Sequence, residues 1–85
     1  MDNKKIRDYI LENFLFTDDQ SKLSNDESFL DKGIIDSTGV LEIIGFLQKE
    51  FGIQVIDDEM VADNLDSVNN IVNYIETKTA INASN

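Results

Sequence analysis

The chain has 85 residues, with 17 acidic against 7 basic and a formal charge of −10, and it contains no Cys, His or Pro. That length holds one domain, and the missing residue types exclude disulfides, thiolate nucleophiles, Cys/His zinc sites and a His general base. The negative balance repels phosphate backbones, so nucleic acid is excluded as a partner and basic protein surfaces are favoured. An apolar share of 41% supports one small core. No apolar run approaches the roughly 20 residues of a membrane helix and no signal-peptide layout opens the chain, which points to a cytoplasmic protein with no membrane partner.

Helical periodicity dominates from the first residues. Over residues 3–16, Ile6, Ile10 and Phe14 fall four apart, Leu11 and Leu15 widen the stripe, and Lys4, Lys5, Asp8 and Glu12 face away. A long polar loop follows, with Leu23 as the lone apolar residue before Phe29, Leu30, Ile34 and Ile35, which are its expected anchors. Gly33 allows a positive φ among them. A second helix runs from Ser37 to Phe51 on the spacing of Val40, Leu41, Ile44, Leu47 and Phe51. Asp36 or Ser37 is its N-cap and Gly52 its terminator. Gly45 in its interior costs roughly 1 kcal/mol relative to Ala.

Residues 53–56 read as an extended connector that buries Ile53 and Val55. Asp57 or Asp58 caps a short third helix through Met60, Val61 and Ala62. Asp66-Ser67 caps a last helix with Val68, Ile71, Val72 and Ile75 on its apolar stripe. Leu41, Ile44, Leu47, Ile71 and Ile75 are expected core residues. The expected architecture is all-α: residues 1–78 form one four-helix bundle with three long helices, a short third one and a long loop between the first two. Residues 79–85 form a polar tail that frays.

The chemistry concentrates at Gly33-Ile34-Ile35-Asp36-Ser37. A Ser opening a helix sits beside unpaired N–H groups and a partial positive charge, where an attached phosphate is stabilised. With no His in the chain, Ser37 is a poor nucleophile. It is either an ordinary N-cap or the acceptor of a group that another enzyme installs.

The stretch Gly33-Ile34-Ile35-Asp36-Ser37-Thr38-Gly39-Val40-Leu41-Glu42-Ile43-Ile44 resembles the modification-site motif of acyl carrier proteins. Phe51-Gly52-Ile53, an acidic third helix and Asn64-Leu65-Asp66-Ser67-Val68 extend the resemblance over nearly the whole chain. It implies the acyl-carrier four-helix bundle and a covalent 4′-phosphopantetheine on Ser37. Asp36 then assists the Mg²⁺-dependent transfer from coenzyme A, the only step that needs the metal. Acyl or aminoacyl groups ride on the arm as thioesters, and the protein is a tether rather than an enzyme, raising the effective concentration of its cargo at each partner. The implied partners are a phosphopantetheinyl transferase, an acyl or aminoacyl ligase, and downstream synthases or transferases with basic docking surfaces. The carrier itself is expected to be a monomer.

Glu42 holds a position where carriers show an acidic residue to such surfaces, and Glu50, Asp57, Asp58 and Glu59 extend that face. Thr38 and Gly39 replace the Leu and acidic residue that fatty-acid-type carriers commonly show after Asp-Ser. Thr38 thus offers partners a smaller, partly polar contact, and Gly39 is expected to loosen the first helical turn. The pattern looks more like carriers of specialised pathways than of housekeeping fatty acid synthesis. Its length favours a discrete, free-standing carrier, with a domain cut from a larger synthase as the alternative.

Other readings fare less well. A calcium loop centred on Gly33 would need oxygen ligands at Ser28, Leu30 and Lys32, and one centred on Gly39 at Ile34, Asp36 and Thr38; both fail. Asp57-Asp58-Glu59 lack the apolar pocket that shifts carboxylate pKa values for catalysis. The remaining alternative is an unmodified acidic adaptor for a basic partner protein.

Overall fold

The structure is a computed structural model and describes residues 3–83. It is all-helical, with no strand among the described residues. Helix α1 (Lys4–Ile10) buries Ile6 and Ile10 and passes into a π-helical turn over Leu11–Leu15. The wider turn places Leu11 in the core and ends at Phe16, a non-glycine residue at φ 55° whose ring is 82% exposed. A 3.6-residue period carries no sign of such a turn, which needs one extra residue within it.

The long loop is organised by two side chains distant in sequence. From α1, the Arg7 guanidinium donates to the carbonyls of Gln20 and Leu23, both at 2.8 Å, and to Asn25 Oδ1 at 2.5 Å. At the far end the Asp66 carboxylate accepts from the Ser28 hydroxyl and from Leu30 N at 3.0 Å. Leu23, Phe29 and Ile35 are buried beneath the loop. Leu30, expected among the anchors, is instead 47% exposed, and Ile34 is half-buried. Gly33 takes φ 68°, letting Ile34 N return to the Phe29 carbonyl at 2.9 Å.

Helix α2 (Ser37–Phe51) buries Gly39, Ile43, Ile44 and Leu47. Leu41 is not in the core as expected but 64% exposed. At about 100° per residue it points roughly 200° away from Ile43. Gly39 does not loosen the first turn; it is where the turn packs closest, since a Cβ there would lie 2.6 Å from Ile35 Cγ2 and 3.0 Å from Phe14 Cε1. Gly52 closes α2 in the left-handed conformation at φ 66°.

Ile53 and Val55 of the extended connector are buried as expected. The third helix is split: a 3₁₀ turn (Asp57–Glu59) precedes a single α-turn, α3 (Ala62–Leu65). Asp57 and Asp58 lie inside the 3₁₀ turn rather than capping it, and Ile56 occupies the N-cap position. Helix α4 (Val68–Ala83) starts where Ser67 Oγ accepts from Asn70 N at 3.0 Å, and it buries Val68, Ile71, Tyr74 and Ile75. Of the stretch read as a frayed tail, residues 79–83 continue this helix, and residues 84 and 85 lie outside the described residues. No helix among the described residues is long and apolar enough to cross a membrane.

Candidate functional site

The start of α2 combines two roles in adjacent residues. Asp36, in extended conformation, is the cap: its Oδ1 accepts from Gly39 N at 2.8 Å, and its carbonyl accepts from Val40 N at 3.1 Å. Ser37 is therefore released from capping. It is the first helical residue, exposed, with its hydroxyl in no hydrogen bond among the described residues. The N–H groups of the first turn and the dipole of a 15-residue helix converge on this point.

One turn further, Leu41 shares the Ser37 side of α2 and borders an apolar cleft of about 310 Å³. Phe29, Leu30, Val40, Ile44, Met60, Val61, Ala62 and Leu65 line it, and Ser37 and Asp66 are its polar members. A group esterified to Ser37 thus emerges beside an apolar surface open to solvent. Sequence periodicity does not show this cleft. The signal for it was Met60-Val61, an apolar pair in an acidic stretch.

The acidic residues expected to form one face are dispersed. Thr38 and Glu42 are exposed on α2, and the Glu42 backbone carbonyl accepts from Tyr9 OH at 3.2 Å. Glu50 lies away from the cleft, 3.9 Å from Lys5 Nζ, in a groove bordered by Tyr9 and Phe46. Asp57 and Asp58 are exposed in the 3₁₀ turn. Glu59 is committed internally: its Oε1 accepts from Lys78 Nζ and from Tyr74 OH, both at 2.8 Å. Lys78, then Tyr74, hold the Glu59 carboxyl below its usual range. Among the described residues no group of three or more acidic side chains is placed to hold a metal ion.

Both tyrosines of the chain resist ionisation. Burial pushes the Tyr9 and Tyr74 hydroxyls above 10.0, reinforced by Glu42 at Tyr9 and by the Glu59 hydrogen bond and charge at Tyr74. The folded state therefore favours the neutral phenol. That stabilisation is complete below the unfolded value of about 10 and is lost as pH rises through the higher folded values. In an alkaline titration, phenolate absorbance is expected to rise together with loss of helical circular dichroism. Full ionisation of both tyrosines at unchanged helicity would contradict this assignment.

Residues 4–75 match the family model described as "Phosphopantetheine attachment site". The chain is 40% identical over 60 residues to an "Acyl carrier protein" of Exiguobacterium sibiricum, covering 71% of this chain and 73% of the relative. It is 33% identical over 76 residues to an "Acyl carrier protein" of Clostridium acetobutylicum, covering 89% and 94%. A "D-alanyl carrier protein" of Streptococcus pyogenes is 36% identical over 73 residues, covering 84% and 91%. A helical bundle that offers a bare hydroxyl at a helix start beside an apolar cleft, matched to that model over almost all its length, makes the chain a member of the acyl carrier protein family, a non-catalytic carrier with covalently attached 4′-phosphopantetheine.

Proposed function

We propose that Ser37 is the attachment point of the phosphopantetheine arm and that the chain carries acyl or aminoacyl groups for a specialised pathway rather than for housekeeping fatty acid synthesis. The observation that carries the proposal is the exposed, unbonded Ser37 hydroxyl opening α2 at the edge of the apolar cleft. The residues present fit the group: the first-turn N–H groups favour a phosphodiester there, and an apolar cleft lies beside it. When bound, the arm supplies the thiol on which cargo is held as a thioester. Asp36 keeps Oδ2 free of hydrogen bonds while Oδ1 caps the helix, so one oxygen is available to a Mg²⁺ ion brought by the transferase.

The D-alanyl carrier relative, similar over 84% of this chain, supports a specialised pathway, as does Thr38 beside Ser37. Carriers of this family meet a phosphopantetheinyl transferase and acyl-handling enzymes. Glu42, Asp57 and Asp58 are the exposed carboxylates that suit basic docking surfaces on an acyl or aminoacyl ligase and its successors in the cytoplasm. Glu59 is assigned to structure instead, through Lys78, and Glu50 stands exposed on another side of α2.

Intact mass after incubation with coenzyme A, Mg²⁺ and a broad-specificity phosphopantetheinyl transferase tests the assignment. The parent is expected to gain one arm and Ser37→Ala none. Because Asp36 is the cap, Ser37→Ala should shift unfolding free energy by no more than about 0.5 kcal/mol, whereas Asp36→Ala should cost about 1 kcal/mol. An arm on Ser37→Ala, or none on the folded parent, would refute the proposal, and the second outcome would favour the unmodified adaptor.

A further inference from the structure

Helices α1 and α2 also meet on the side of α2 that faces away from Ser37. Phe46 follows Ser37 by nine residues, which at about 100° per residue turns it roughly 180° from the serine. Its ring stacks on that of Tyr9, with centroids 3.9 Å apart and planes 15° apart. Phe14 meets Tyr9 and Phe51 meets Phe46 edge to face, at 5.9 and 6.2 Å, so the stacked pair is held from both ends. Tyr9 and Phe46 are nonetheless only half-buried. Together with Lys5, Asp8, Glu12 and Glu50 they line a groove of about 250 Å³.

The charges of this groove are unevenly matched. Asp8 accepts from Lys4 Nζ at 2.5 Å and from Gln20 Nε2 at 3.1 Å. Glu50 has only Lys5 among the described residues, at 3.9 Å, and an exposed pair of that kind contributes little and yields to a better-placed cation. The Glu12 side chain makes no hydrogen bond or ion pair among the described residues. Glu42, four residues before Phe46, adds a negative charge that acts on the Tyr9 hydroxyl. Glu12 lies seven residues beyond Lys5, roughly 10 Å along the helix axis from the Lys5–Glu50 pair. Carboxylates therefore stand two turns apart with the stacked rings between them.

We propose that this groove is a second docking site, for a partner protein that presents a basic helix with two Arg or Lys side chains two turns apart and an apolar side chain between them. Size and charge select that occupant. The groove is smaller than the roughly 300 Å³ at which small-molecule sites begin, and it suits side-chain anchors. A second copy of this chain, also at −10, would set acid against acid. Arg and Lys stems cover apolar surface while their heads reach a carboxylate, and rings already fixed against one another need no reordering to receive them. Because the groove lies opposite Ser37, a partner seated there leaves the serine open. Resting on the assignment of Ser37 as attachment point, the carrier then stays on one protein while its arm visits others, at a raised effective concentration for the protein that holds it.

The probe is a capped helical peptide rich in Ala and Gln, with two Arg seven positions apart and one Leu midway. Added to the isotopically labelled parent at moderate salt, it is expected to shift the amide resonances of residues 5–12 and 42–50 and to leave those of 57–63 in place. Glu12→Gln/Glu50→Gln is expected to bind it at least about fivefold more weakly, and Asp57→Asn/Asp58→Asn as tightly as the parent. The same peptide with citrulline for Arg is expected not to bind. Shifts centred on 57–63, equal weakening by the two double variants, equal binding of the citrulline peptide, or no binding at all overturn the groove. Arm transfer from coenzyme A to Ser37 is expected to keep its rate when the peptide is present. Slowing of the parent that Glu12→Gln/Glu50→Gln does not share overturns the independence of the two faces. A parent that gains no arm with or without peptide overturns the Ser37 assignment, while the shift map alone decides the groove.

Discussion

Phe29→Ala is expected to cost about 3–5 kcal/mol of folding stability, the range for truncating a fully buried aromatic side chain. Phe29 is 1% exposed and belongs to a loop rather than a helix, so nothing local replaces its packing. Its backbone is also the point where the loop is tied in three directions. Phe29 N donates to the Asp66 carbonyl at 2.8 Å, and the Phe29 carbonyl accepts from Ile34 N at 2.9 Å and Ile35 N at 3.4 Å. Removing the ring loosens the segment that delivers Asp36 and Ser37 to the start of α2, and it removes one wall of the cleft. Urea denaturation reads the stability loss directly. A cost under about 1.5 kcal/mol would show that neighbouring side chains collapse into the space, contrary to the packing argued here.

Two glycines of α2 are expected to respond to Ala with opposite signs. Propensity alone favours Ala at either position by about 0.5–1 kcal/mol. At Gly45, exposed in mid-helix with nothing within 4 Å of a new Cβ, that gain should be realised in full. At Gly39 the new methyl meets Ile35 Cγ2 at 2.6 Å and Phe14 Cε1 at 3.0 Å. Ile35 is buried and β-branched, so its methyl cannot swing aside as the end of a long chain would. Overpacking of this kind costs about 1–3 kcal/mol, enough to reverse the propensity gain. Thermal unfolding of the two variants is expected to move the midpoint up for Gly45→Ala and down for Gly39→Ala. A rise for both would mean that the first turn of α2 shifts off Ile35 without penalty.

The contrast between these glycines shows where sequence reasoning succeeds and where it stops. The boundaries of α2 were legible because the interactions that set them span four residues or fewer. Asp36 reaches Gly39, and Gly52 takes the left-handed conformation that ends the helix. Ser67 as the cap of α4 and the positive φ of Gly33 were legible for the same reason, while the burial of Ile53 and Val55 was legible as apolar residues alternating with exposed Gln54 and Ile56. The Asp36-Ser37 pair and its surroundings also carried the family. Which of the two would cap was not decided by spacing, since both side chains are short and polar.

What the tertiary structure alone decided depends on groups far apart in the chain. Leu41 has the periodicity of a core residue, yet no element covers the side of α2 on which it stands, and it borders the cleft instead. Arg7 reads as a charge on an amphipathic helix, and only the folded loop shows it holding Gln20, Leu23 and Asn25. Glu59 reads as one more acid in a docking face until Tyr74 and Lys78 come round on α4 to bind it. By itself the sequence determined the extent of α2, the start of α4 and the place of a serine at the opening of α2, because these are settled between near neighbours. The cleft beside that serine, the exposure of Leu41 and the partners of Glu59 were decided by tertiary packing, because each requires side chains that meet only when distant segments fold together.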